Sequence, residues 1–101
     1  MASQHALTEL TGITSATLSD DRALGALAIA AAGAIGLTAH GPPVIKTGPQ
    51  GIAVGLLAHG GHIVLHARPE EGSCLVDIVT PAAASPARGL EVITRRLHLS
   101  P

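Results

Sequence analysis

The chain has no Phe, Trp or Tyr and only one cysteine among its 101 residues. Without aromatic rings, the core must be filled by Leu, Ile, Val and Ala, which each bury less area than an aromatic side chain. The single Cys74 has no partner for an internal disulfide, so we expect a reducing, cytoplasmic location. A role as a small buried hydrophobic residue is the simplest expectation for Cys74.

The chain also lacks an excess of either charge, since six Lys and Arg face seven Asp and Glu. With no basic run and no aromatic platform for bases, we do not expect nucleic-acid binding. The apolar run 23–37 has fifteen residues, whereas a membrane span needs about 20. It follows Asp20 and Asp21 instead of a cationic segment, so we expect a buried helix and neither a membrane span nor a signal peptide.

Helix signals occur in two places. Ser19 or Asp20 is suited to cap a first helix that ends at Gly36, and Ser85 with Pro86 is suited to begin a second. In the second helix, apolar residues recur with helical spacing at positions 90, 93 and 97.

Strand-like segments cover 5–13, 52–59, 62–68 and 74–80, with short or irregular strands expected in 37–46. We therefore predict one domain over residues 1–101 with an α/β (α+β) fold. It is a two-layer sandwich, in which a mainly antiparallel sheet carries two helices on one face.

Gly60 and Gly61 lie between two strand-like segments, and this pattern predicts a tight hairpin. The residues around them resemble the processing region of the small bacterial S-adenosylmethionine decarboxylases. That family has the motifs Pro-x-Gly-Val-Ser/Thr-Gly, Glu-Ser-His-x-Ser/Thr-Ile-His-Thr-Trp-Pro-Glu and Asp-x-Phe-Thr-Cys-Gly. The shared positions are Pro49, Gly51, His62, His66, Pro69, Glu70, Gly72, Asp77 and Thr80. Segments 5–9 and 18–20 resemble the family's first strand and first helix.

The resemblance implies a chain that cleaves itself at a Glu-Ser bond and converts the serine into a pyruvoyl cofactor. The positions that would do this chemistry differ in the present chain. Gly61 matches the serine and Gly60 the glutamate, while Ala53 matches a hydroxyl residue that assists cleavage and Pro81 a cysteine proton donor. The processing histidine is retained as His66.

The chemistry of cleavage leads to the same expectation without the family. A side-chain oxygen or sulfur must attack the preceding carbonyl, and residues 48–72 contain no Ser, Thr, Cys or Tyr. We therefore expect no cleavage in this segment and no pyruvoyl cofactor. Ser73, just before the next strand, is the alternative site.

The resemblance also suggests where a ligand would bind. The family holds adenine between aromatic rings, whereas here Arg68 replaces the tryptophan, so any stacking would involve Arg or His. We predict Glu9, His66, Arg68 and Glu70 as ligand-binding residues, with Glu9 facing a sulfonium or amine. The alternative for Glu9 is a solvated strand position, and Asp77 is expected to be a structural hydrogen-bonding residue.

Three histidines at positions 59, 62 and 66 raise the question of a metal site. Four residues of a strand span about 13 Å, so His62 and His66 cannot both reach a metal at about 2.1 Å. A partnership of one of them with His59 or Glu70 across the hairpin stays open, but we expect no metal.

We expect a cytoplasmic pseudoenzyme of polyamine (spermidine) biosynthesis that acts as a regulatory or structural subunit. Its partner is a second copy, in a homodimer with sheets packed face to face, or an active decarboxylase paralogue. The alternatives are a module that binds a nucleoside, S-adenosylmethionine or a polyamine, and an enzyme with residual or different activity.

Overall fold

The computed structural model describes residues 2–99, which form one antiparallel sheet and a layer of helices. The sheet has the strand order β1-β5-β4-β3-β2, and each neighbouring pair is antiparallel. This confirms the predicted fold class. In chain order, the elements are β1 (Gln4–Leu10), α1 (Ser15–Leu18), α2 (Asp21–Ile35), β2 (Val44–Gly48), β3 (Gly51–Ala58), β4 (Gly61–Arg68), a short 3-10 helix (Pro69–Glu71), β5 (Ser73–Thr80) and α3 (Pro86–Leu99).

The ends of α2 lie where the sequence predicts them. The Asp20 side chain accepts a hydrogen bond from the Ala23 N–H, which satisfies one of the free donors of the first turn. At the other end, Gly36 adopts a left-handed conformation with φ of 90°, which glycine tolerates without strain. The short helix α1 was not predicted, since four residues leave too weak a periodic signal.

The core lies between the sheet and the helices and is built from aliphatic side chains alone. Close approach of the elements compensates for the missing aromatic rings. A Cβ on Gly89 of α3 would lie 2.5 Å from the Ile35 Cδ1 atom of α2, and one on Gly25 would lie 2.8 Å from the Ile45 Cδ1 atom of β2. Glycine therefore brings the backbones together where the side chains are small.

Cys74 is fully buried in this core. Burial raises the pKa of its thiol to about 11, against smaller opposing effects of a backbone hydrogen bond and Arg68. The expectation of a small buried hydrophobic residue at this position is confirmed.

Two local predictions need correction, namely the end of the first strand and the position of the hairpin turn. The first strand ends at Leu10 and not at Ile13, because Gly12 turns the chain and the Ile13 N–H bonds the Gly72 carbonyl at 3.0 Å. The short or irregular strands expected in 37–46 are confirmed, as an isolated bridge at Ala39 and the start of the five-residue edge strand β2. The hairpin between β3 and β4 turns at His59 and Gly60, whereas Gly61 already belongs to β4.

The sheet face opposite the helices, which we call the open face, is not covered by any described element. Strand alternation places side chains such as Leu7, Val44 and Leu57 on it. These three side chains are 60%, 58% and 65% exposed. No helix among residues 2–99 is long and apolar enough to cross a bilayer.

Candidate functional site

The turn of the β3–β4 hairpin brings together three of the positions predicted to have lost their chemistry. Gly60 adopts a left-handed conformation with φ of 77°, and a Cβ on it would lie 2.8 Å from the Pro81 Cγ atom. Gly61 follows directly and lies beside the end of β5. We call this group of Gly60, Gly61 and Pro81 the turn end; its side chains offer no acid, base or nucleophile.

Gly61 lies so close to β5 that the backbone leaves no room for a side chain. A Cβ at this position would lie 2.0 Å from the Val79 carbonyl oxygen and 3.2 Å from the Thr80 Cα atom. Both are backbone atoms and cannot swing aside. A serine at position 61 would therefore require β4 and β5 to move apart.

The other two family positions, Ala53 and His66, lie at the opposite end of the hairpin. They are direct partners in the β3–β4 register, five residues from the Ala58–Gly61 pair. Five residues of a strand correspond to about 16 Å. Within one chain, the structure therefore does not bring His66 to Gly61.

The predicted ligand-binding residues gather at the Ala53–His66 end. His66 and Arg68 line an open depression of about 430 Å³, together with Lys46 and the turn between β2 and β3. The Glu9 carboxylate lies 3.7 Å from the Arg68 guanidinium. Glu70 and Arg68 line an adjoining depression of about 580 Å³. We call this region the basin end.

A cluster of His5, His62 and Asp77 was not predicted as a unit. On the open face, Asp77 Oδ1 lies 2.5 Å from His5 Nε2, and Asp77 Oδ2 lies 3.4 Å from His62 Nε2. Partial burial raises the pKa of the Asp77 carboxyl, but the hydrogen bonds and charges of the two histidines outweigh it, so the pKa is lowered. The sequence signal for this cluster is the alternation of side chains along β1, β4 and β5, which places all three residues on the open face. Only the strand register shows that β5 lies between β1 and β4.

The contact of His5 and His62 with Asp77 does not have the arrangement of a metal site. In the part of the chain that the structure describes, no three His, Cys, Asp or Glu side chains are arranged to hold a metal ion. His59 instead contacts His40, with ring centroids 4.3 Å apart. Ser73, the alternative cleavage site, is buried, and its hydroxyl has no hydrogen-bond partner among residues 2–99.

Comparison with known proteins adds two findings. The family profile described as S-adenosylmethionine decarboxylase matches residues 4–100. The fold is similar to the crystal structure of the adenosylmethionine decarboxylase from Aquifex aeolicus VF5, with a TM-score of 0.82 and 21% sequence identity. The match covers 95% of this chain and 80% of that chain. No curated protein matches the chain.

Proposed function

Since the chain belongs to the S-adenosylmethionine decarboxylase family, we propose that it is a member that stays uncleaved. It would then act as a regulatory or structural subunit in polyamine biosynthesis and not as a decarboxylase. The observation that carries the proposal is Gly61, which has no side chain to cleave the backbone and no space for one.

The chemistry around Gly61 supports this proposal. Formation of a pyruvoyl group begins when a hydroxyl attacks the preceding carbonyl, and no hydroxyl or thiol occurs in residues 48–72. The pyruvoyl group would supply the electron sink for decarboxylation. Gly60 turns the hairpin and packs against Pro81. In the proposed function, the backbone of this turn stays uncleaved.

The open face supports association with a second chain. Leu57 of β3 and Val44 of the neighbouring edge strand β2 are both more than half exposed on it, and a contiguous apolar surface commonly marks an interface. We propose a homodimer in which two open faces pack together. If the strands of the two sheets run in opposite directions, the turn end of each chain faces the basin end of its partner. An active paralogue with the same fold is the alternative partner.

Intact-mass spectrometry of the purified chain tests the absence of cleavage. We expect one species that corresponds to the full 10.0 kDa chain. Two fragments produced by cleavage before residue 61 or before residue 73 would refute the proposal. Their masses would show which of the two bonds is cleaved.

Light scattering after size-exclusion chromatography tests the partner. We expect a dimer for the wild type and a monomer for Leu57→Lys, because the substitution places a charge in the proposed interface. Leu99→Lys is the matched control, since Leu99 is 70% exposed but belongs to α3. A wild-type monomer that binds an active decarboxylase would favour the paralogue instead.

A second candidate function is small-molecule binding. It is favoured by one observation, namely that His66 and Arg68 line the same depression while Glu9 lies beside it. Thermal-shift measurements with S-adenosylmethionine, a nucleoside and spermidine test this function. A rise in melting temperature that Glu9→Gln reduces would support a cationic ligand.

A further inference from the structure

The depression at the basin end has an unusual set of lining groups. Two permanent cations line it, Lys46 from β2 and Arg68 from β4, and His66 lies two residues before Arg68 on the same strand. None of its eleven lining residues is Asp or Glu. Lys and Arg side chains have donors and no acceptors, so the depression presents positive charge and N–H groups to a ligand.

The two cations are only partly neutralised by the protein. Among residues 2–99, Lys46 forms no ion pair, and Arg68 contacts Glu9 at 3.7 Å. The pair between Arg95 and Glu91 is closer, at 2.9 Å, which is typical of a charge-assisted hydrogen bond. Arg68 therefore retains guanidinium donors that Glu9 does not engage.

Two residues that line the depression, Gly51 and Ala53, have little or no side chain. Gly51 has φ of +121°, and a Cβ on it would lie 2.0 Å from the Ala67 carbonyl oxygen. Ala53, two residues further along β3, has only a methyl group. Lys46 and His66 both pair with Ala53 from opposite sides, which separates their Cα atoms by about 10 Å. This spacing leaves room for a small ligand between them.

From these observations, we infer that the depression between Lys46 and Arg68 binds a small oxyanion, either a carboxylate or a phosphate, with His66 as an additional donor. The lining groups favour an anion over a polyamine, because a cation there would meet Lys46 and Arg68. The inference does not depend on whether the chain cleaves itself, since Gly61 lies at the other end of the hairpin.

An NMR titration tests this inference. Sodium phosphate and sodium succinate are added separately to the ¹⁵N-labelled full chain, with total ionic strength held constant by sodium chloride. We expect the amide signals of Gly48 and Gly51, which line the depression, to shift and saturate. Saturation with only one of the two anions would identify phosphate or carboxylate as the favoured group.

Variants then assign the binding to the depression. Lys46→Gln and Arg68→Gln should each weaken the affinity about fivefold, since each removes one charge-assisted interaction. Arg95→Gln removes an exposed arginine on α3 and should leave the affinity unchanged. Unchanged signals elsewhere in the spectra verify that each variant is folded.

Three outcomes would overturn the inference. The shifts with both anions could equal those with sodium chloride, they could persist in both Lys46→Gln and Arg68→Gln, or spermidine could bind the wild type more tightly than either anion. A cleaved chain in the mass measurement would refute only the proposed function, so the two failures are distinguishable.

Discussion

The two ends of the β3–β4 hairpin differ in what surrounds them. At the turn end, Gly60 and Gly61 pack against Pro81 and the backbone of β5. At the basin end, His66 and Arg68 border an open depression. The turn end is closely packed but has no acidic, basic or nucleophilic side chain. The basin end instead has ionisable side chains around an open depression. Three of the four positions that differ from the family's chemical groups lie at the turn end, whereas Ala53 lies at the basin end beside accessible polar groups.

Both ends nevertheless contain a glycine that touches the adjacent strand. A Cβ on Gly51 or on Gly61 would lie 2.0 Å from a carbonyl oxygen, of Ala67 or Val79 respectively. Between them, a Cβ on Gly55 in the middle of β3 would meet no atom of another element within 4 Å. Substitutions of Gly55 can therefore serve as the reference for substitutions of Gly51 and Gly61.

The largest effect is expected for Gly51→Ala at the basin end. The added methyl group meets the Ala67 carbonyl, and φ of +121° is strained for alanine. We expect the free energy of unfolding to fall by about 3 kcal/mol, measured by urea denaturation. Gly55→Ala is the matched control and should change it by less than about 1 kcal/mol. Equal losses in the two variants would show that close approach does not explain Gly51.

A somewhat smaller effect is expected for Gly61→Ser at the turn end. The side chain meets the same kind of obstacle, but the glycine does not have a positive φ. We expect a loss of about 2 kcal/mol and a chain that remains at its full mass, because Gly60, Ala53 and Pro81 still lack the matching groups. Gly55→Ser adds the same side chain without the contact. Restored cleavage in Gly61→Ser would show that the serine alone was missing.

The His5–Asp77–His62 cluster adds a pH-dependent contribution. Because the pKa of Asp77 is lowered in the folded state, its ionised form stabilises the fold above the carboxyl's unfolded pKa. This contribution is lost as the pH falls through the folded pKa. We expect Asp77→Asn to cost about 1 kcal/mol at pH 7 and to reduce the decline in stability between about pH 5 and pH 3. Glu91→Gln is the control, and an unchanged pH profile in Asp77→Asn would contradict the assignment.

The smallest effect is expected for the ion pair at the basin end. Glu9 and Arg68 are 50% and 40% exposed and lie 3.7 Å apart, so Glu9→Gln should change the free energy of unfolding by less than about 0.5 kcal/mol. Chemical denaturation at pH 7 measures the change. A loss as large as that of Asp77→Asn would mean that the pair is tighter in solution than this distance indicates.

Much of the fold was predictable because its signals are local. The caps of α2 at Asp20 and Gly36 and the alternation in β4 and β5 depend on neighbouring residues. The turn was harder to place, since Gly60 and Gly61 both suit a hairpin. Only the pairing of Ala58 with Gly61 shows which glycine turns the chain.

The candidate site was predictable in part. The predicted residues Glu9, His66 and Arg68 lie at one end of the open face. Lys46 was missed because it lies on β2, separated in sequence from His66 and Arg68 by the whole of β3, and carries no motif. The His5–Asp77–His62 cluster was missed for a similar reason, as β1 and β5 are neighbours in the sheet and about 70 residues apart in sequence.

The sequence by itself determined the aliphatic core, the order of most elements and the absence of any hydroxyl or thiol between residues 48 and 72, since these follow from residue type and local periodicity. Only the tertiary structure decided that Gly61 has no space for a side chain and that His66 lies at the far end of its hairpin. Those properties depend on strand register and backbone contact, which bring together residues that are distant in the chain.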